Sequence, residues 1–321
     1  MRRTGLSYHP EYVEHDAGPG HPERPARLQA IMDRLEGGSL ASRCLRLTPV
    51  EAPVATINLI HSEDHLEHLA RLSRLGRLVA ETPDTLVSPA TYRVARLAVG
   101  GVLVAVDAVM AGRIENAFCA VRPPGHHAEY EQAMGFCYLN NVAIAARHLQ
   151  TQHGLERIAI VDWDVHHCNG TQHSFEDDPS VFVFSIHQFA PGFFPRTGAR
   201  EERGVGAGKG RTLNVPLPPG CTDTDYLRAI EEQLRPALAE FSPQFILISA
   251  GFDSHRDDPL GGMRLTEAAY ADMTEAVLAM AAEHCQGRAV SVLEGGYDLN
   301  ALASSVEAHV RALLGLTGAS S

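Results

Sequence analysis

Short, largely β-branched apolar runs recur along the chain at residues 118–121, 157–161, 181–186, 212–215, 245–249 and 289–293. Between them, near 25–36, 62–75, 89–111, 135–151, 223–240, 266–284 and 299–313, apolar residues return at helical spacing. Runs of the first kind suit strands buried on both faces, and those of the second suit amphipathic helices. Their alternation predicts an α/β fold, a mostly parallel central sheet with helices on both faces. No internal repeat or low-complexity linker interrupts it, so residues 1–321 read as one domain. The glycine-rich stretch 198–210 reads as a surface loop, without the strand-then-helix context of a dinucleotide site.

The polar clusters have a consistent place in this pattern. R-P-P-G-H-H (122–127) follows the first apolar run and D-W-D-V-H-H (162–167) the second. S-A-G-F-D-S-H (249–255) and L-E-G-G-Y-D (293–298) follow the fifth and sixth. Each therefore lies beyond the carboxyl end of a predicted strand, the edge at which open parallel sheets bind ligands. Burying aspartates and histidines there is costly unless solvent, an ion-pair network or a metal ion compensates them.

Asp164 and His166 are two residues apart at an extended strand end, so both side chains share one side. Asp253, arriving from another strand, completes a candidate set of three ligands with an open position, the pattern of catalytic zinc. Two carboxylates and one imidazole nearly neutralise a dication, so further proton-handling groups are expected. The His126-His127 pair and Tyr297 supply them.

Composition narrows the partners. The 321 residues are 45% hydrophobic and 21% charged, the balance of a globular protein. A net charge of −12 without a basic run argues against nucleic-acid binding and favours cationic substrates, through long-range steering. No apolar run approaches the roughly 20 residues of a membrane span. Arg2-Arg3 is followed by no apolar core, so no signal peptide is expected. The six cysteines are scattered without a C-x-x-C pair, which suits reduced thiols and a cytoplasmic location.

The chain resembles the histone deacetylase superfamily, and specifically its class II amidohydrolases, including bacterial acetylpolyamine amidohydrolases. The matching segments are H-P-E-R-P-A-R-L (21–28), R-P-P-G-H-H-A (122–128), G-F-C-Y-L-N-N (135–141) and D-W-D-V-H-H-C-N-G-T-Q (162–172). P-G-F-F-P (191–195), N-V-P-L (214–217), A-G-F-D-S-H-R-D-D-P-L-G-G (250–262) and E-G-G-Y (294–297) complete them in family order. The resemblance implies the arginase/deacetylase fold and metal-dependent release of acetate from an acetylated lysine peptide or small acetylated amine. It leaves homo-oligomers open.

Carried over by position, the ligands of Zn2+ (with Fe2+ as the alternative) are Asp164, His166 and Asp253. His127 becomes the general base, His126 its electrostatic partner, and Tyr297 the donor to the substrate carbonyl and oxyanion. Asp162 is expected to contact His126, and Asn169 to contact His127. An Asp partner keeps an imidazole charged, whereas an Asn orients it without doing so. Gly135, Phe136, Phe194, His167 and Leu260 are the implied substrate contacts. Leu260 stands where polyamine-specific relatives carry a glutamate. A structural K+ is implied at Asp162, Asp164, His166, Ser185 and Ile186.

One position departs from the family pattern: Cys168 replaces a glycine. If that site needs a positive φ, the cysteine is strained by roughly 1 kcal/mol. It could also tilt Asn169 away from His127, or set an oxidisable thiol beside the metal. Two rival readings differ in class. An arginase-like dimetal site would need bridging carboxylates where Cys168 and His255 stand. A non-catalytic acyl-lysine binder would retain ligand without releasing acetate.

Overall fold

The computed structural model describes residues 2–316 apart from 77 and 81. Eight parallel strands form one sheet in the order β2-β1-β5-β10-β9-β6-β7-β8. In chain order these are β1 (Thr4–Ser7), β2 (Leu45–Leu47), β5 (Asn116–Cys119), β6 (Ile158–Asp162), β7 (Val181–Gln188), β8 (Thr212–Leu217), β9 (Phe245–Ala250) and β10 (Ala289–Leu293). A small antiparallel pair, β3 (Leu78–Val79) with β4 (Leu86–Val87), stands apart. The sheet is the α/β architecture expected from the alternating pattern. Every residue of β5, β6, β7, β9 and β10 is buried, so helices cover both faces.

The helices fall into two packed sets. One comprises α1 (Ala26–Gly37), α7 (Asp223–Ala229), α8 (Arg235–Phe241), α9 (Glu267–His284) and α10 (Leu299–Leu314). The other comprises α2 (Val54–Ile57), α3 (Glu63–Leu75), α4 (Thr91–Met110), α5 (Asn141–His153) and α6 (Asn169–Phe175). The predicted helix over 223–240 is interrupted by a π turn at Ile230–Leu234. Pro236 at the start of α8 has no N–H to continue the regular ladder, which accounts for the irregular turn before it.

Two expectations fail for local reasons. The helix expected from residue 135 starts only at Asn141, because Gly135 and Phe136 both have positive φ. Asn140 then caps α5, its Oδ1 accepting from Ala143 N–H at 3.0 Å. The stretch 198–210 is not wholly surface: Gly198 is buried, and a Cβ there would lie 2.5 Å from both His167 and His187.

The topology assembles the site. After β8 the chain returns, and β9 and β10 insert between β5 and β6. Four strands far apart in sequence thereby become neighbours at the centre of the sheet, and their carboxyl ends open onto one place.

Candidate active site

Asp164 and His166 follow β6, and Asp253 follows its neighbour β9. His166 Nδ1 lies 3.0 Å from Asp164 Oδ1 and 3.2 Å from Asp253 Oδ2. One donor atom from each residue falls within 4.8 Å of the others. Backbone groups aim the carboxylates. Val165 N–H donates to Asp253 Oδ1 at 2.8 Å, and Gly295 N–H to Asp164 Oδ2 at 2.9 Å. A Cβ on Gly295 would lie 2.1 Å from Asp253 Oδ2, so only glycine leaves room for the paired carboxylates.

This donor set fits a divalent cation. Asp253 Oδ2 is buried without a well-formed hydrogen bond, 3.2 Å from His166 Nδ1. Burial, then the charge of Asp164, pushes the Asp253 carboxyl up to about 7, against the opposing pull of His166. A cation here would compensate the two carboxylates, with an imidazole as third ligand and one side open.

Behind the triad the two histidines are treated differently. His126 Nδ1 is 3.0 Å from Asp162 Oδ2, and its Nε2 is 3.8 Å from Asp164 Oδ1. Burial opposes its charge, but Asp164, Asp162 and Glu294 outweigh that and raise its pKa to about 10. His127 Nδ1 is 2.7 Å from Asn169 Oδ1. Burial and the neighbouring imidazoles of His126 and His166 hold its pKa well below the ordinary value. With Nδ1–H donated to Asn169, Nε2 of His127 is left as a bare acceptor.

Above them opens a cleft of about 310 Å³, lined by Asp84, His127, Gly135, Phe136, His166, Gly192, Phe193, Phe194, Leu260 and Tyr297. Phe194 meets the His127 ring edge-on at 4.9 Å, and Phe193 stacks on His166 at 5.2 Å. Phe136 faces Tyr297 at 5.8 Å, with its own backbone at φ 69°. A left-handed phenylalanine is sparsely populated and persists only where its surroundings enforce it. A Cβ on Gly135 would meet His127 Cδ2 at 2.5 Å, so only glycine lets this turn approach the His127 ring so closely.

A family model described as the histone deacetylase domain matches residues 21–313. The chain belongs to the histone deacetylase family. A protein named "Probable deacetylase" from Archaeoglobus fulgidus is 45% identical over 298 residues, covering 92% of this chain and 82% of that one. The human "Polyamine deacetylase HDAC10" is 43% identical over 302 residues, 91% of this chain but only 44% of that longer protein. The solved "Crystal Structure of HDA15 HD domain" matches with a TM-score of 0.93 at 38% identity, over 99% of this chain and 91% of that one. The fold is therefore the arginase/deacetylase fold. The protein is an amide-hydrolysing deacetylase, which sets aside the non-catalytic binder.

The deacetylase departs from expectation at two residues. His167, expected among the substrate contacts, does not line the cleft. It is buried, with Nδ1 2.8 Å from Thr197 Oγ1 and Nε2 2.9 Å from Gln172 Oε1. Cys168 has φ −80°, so its position needs no left-handed backbone and the anticipated strain is absent. Its side chain is fully buried, and Asn169 keeps its short contact with His127. Burial holds the thiol well above its ordinary pKa, which disfavours the reactive thiolate.

Several groups at the site carried no role in the sequence reading. Glu294 ties three strand ends together, accepting from Gly125 and His126 N–H at 2.7 and 3.1 Å and from Ser249 Oγ at 2.9 Å. Arg27 donates to the Gly296 and Glu294 carbonyls at 2.6 and 2.5 Å, with its guanidinium 4.9 Å from the Tyr297 ring centroid. Both residues stand in matching motifs, E-G-G-Y and H-P-E-R-P-A-R-L, which was their only signal. Phe193 was half visible as the neighbour of Phe194. Asp84, beside a small β-pair, gave none.

Proposed function

We propose that the protein is a zinc-dependent deacetylase that removes acetyl or other acyl groups from lysine side chains or related amines, releasing acetate or the corresponding carboxylate. The observation that supports it most is the convergence of Asp164, His166, Asp253 and the His126–His127 pair at the floor of an apolar cleft bordered by Tyr297. Zinc held by the triad would supply Lewis acidity to the amide carbonyl and to water. In this reading the phenylalanines grip the methylene stem and exclude bulk water. Nε2 of His127 takes a proton from the attacking water as its oxygen bonds to the carbonyl carbon. The Tyr297 hydroxyl donates to the developing oxyanion. As the C–N bond breaks, His127 returns the proton to the leaving amine nitrogen, while charged His126 stabilises the negative charge nearby.

A structural K+ at Asp162, Asp164, His166, Ser185 and Ile186 belongs to the same proposal. In its support, Asp162 and Ser185 are register partners on β6 and β7. All six cysteines are free, which supports a cytoplasmic location. Among the described residues, no helix is long and apolar enough to cross a membrane.

A polyamine preference is the second reading. The Asp84 carboxylate in the cleft lining suits a second ammonium, whereas Leu260 offers such a group nothing. One preparation of defined metal content, offered acetyl-lysine peptide, acetylputrescine and longer acyl-lysines, separates the readings by relative kcat/KM. Release of carboxylate from none of them would overturn the proposal.

A further inference from the structure

A second cluster of metal-ligand type lies outside the cleft. Asp107 on α4 faces His148 and His153 on α5. The Nε2 atoms of both histidines lie 2.8 Å from the same oxygen, Asp107 Oδ1. Their rings are 5.5 Å apart at 72°, so two lone-pair directions converge from different sides. The side chains of His148, His153 and Asp107 are 12%, 23% and 48% exposed, which leaves a side open to solvent. Five residues apart on a helix, the histidines point about 140° from each other. They meet because α4 packs against α5 and sets Asp107 between them.

The backbone favours a cation at the same spot. Asp107 is in the last turn of α4, which carries no basic residue, and His153 is the last residue of α5. Two helix carboxyl ends, each with partial negative charge, therefore flank a carboxylate. Two imidazole nitrogens, one carboxylate oxygen and an open fourth direction form the donor set of a tetrahedral site for zinc or a similar divalent ion. Ligand atoms about 2.0–2.1 Å from such an ion stand ~3.3 Å apart. The two Asp107–histidine separations need to open by only about half an ångström, and all three donor atoms already lie within 4.8 Å of one another.

We propose that Asp107, His148 and His153 form a second divalent-metal site that clamps the carboxyl ends of α4 and α5. His148 Nδ1 is buried without a hydrogen-bond partner, so its ring lacks the outer contact that strengthens metal ligands. The site accordingly binds zinc in the micromolar range rather than more tightly. Its role is structural: α5 begins where the loop of Gly135 and Phe136 ends, and the clamp holds the far end of that helix.

The test is zinc stoichiometry by equilibrium dialysis and elemental analysis at controlled free zinc. At ~10 µM free zinc, the wild-type chain should hold two ions. His153→Gln should hold one, with its second affinity at least about tenfold weaker and its deacetylase turnover unchanged. Asp107→Asn, which retains a side-chain oxygen for the histidines, should behave alike and decides the matter if His153→Gln misfolds. Asp253→Ala should also hold one ion, so this site is read separately from the cleft triad. Zinc should raise the melting temperature of Asp253→Ala but not of Asp253→Ala combined with His153→Gln. Equal stoichiometry in wild type and both surface variants, or binding only near ~1 mM, would overturn the proposal.

Discussion

The floor and the mouth of the cleft are built by different means. At the floor, Asp164, Asp253, Asp162 and His126 are buried, and each is fixed by backbone or side-chain hydrogen bonds from neighbouring strand ends. At the mouth, Phe136, Phe193, Phe194, Leu260 and Asp84 are half-buried, and the rings make edge and face contacts with Tyr297, His166 and His127. A floor position has several partners that all misfit after a change. A mouth position answers mainly to whatever enters. The chemistry should therefore be brittle and the substrate choice adjustable by one side chain.

The strongest way to break this contrast is at the floor. Asp253→Ala or Asp164→Ala should lose most bound metal and lower kcat by more than about 10³-fold, beyond the usual loss of one oxyanion donor. Elemental analysis beside turnover is the check, and full metal content with normal kcat would remove these residues from the ligand set. Tyr297, where floor meets mouth, comes next. Tyr297→Phe should lower kcat by roughly 10²–10³-fold, with metal content and ligand affinity little changed. A fall below about threefold, or a lower melting temperature with normal kcat, would reassign Tyr297 to packing.

A third test asks what burial alone does to a histidine, the baseline against which the charged floor stands out. His309 is buried away from them, bonded to Thr274 and Ser291, and burial alone lowers its pKa to about 3. His126, equally buried, is raised to about 10 by its acidic neighbours. Because the folded state disfavours the proton on His309, the unfolded chain binds it more readily below pH ~6.5. The stability from neutral His309 is thus complete above that pH and is lost as pH falls towards 3. His309→Gln should flatten the acid-side decline by up to about 1.4 kcal/mol per pH unit, read by denaturant melts at several pH values. An unchanged slope would contradict the assignment.

The smallest expected effect is at the mouth. Leu260→Glu should shift relative kcat/KM from acetyl-lysine peptide towards acetylspermidine by up to about fivefold, the range of a partly exposed ion pair. No change in that ratio would show that the mouth does not set preference through this residue.

Legibility followed the length of the apolar run. The predicted runs leading into the site overlap β5, β6, β9 and β10, because strands covered on both faces need continuous apolar residues. The interior strand β1, T-G-L-S, and the edge strand β2, L-R-L, were missed because neither is long or apolar enough to stand out. The ligand, base and oxyanion candidates were legible through their motifs. The sequence by itself thus determined the α/β layering, the edge of the sheet that bears the chemistry, and the residue types available there. Only the tertiary structure decided that β9 and β10 slide between β5 and β6, that Gly135 and Phe136 turn left-handed instead of starting a helix, and that His167 faces Thr197 and Gln172. It alone brought Asp107 between His148 and His153. The physical reason is range: periodicity reports which face of an element is buried, whereas contacts between elements depend on packing that no local pattern encodes.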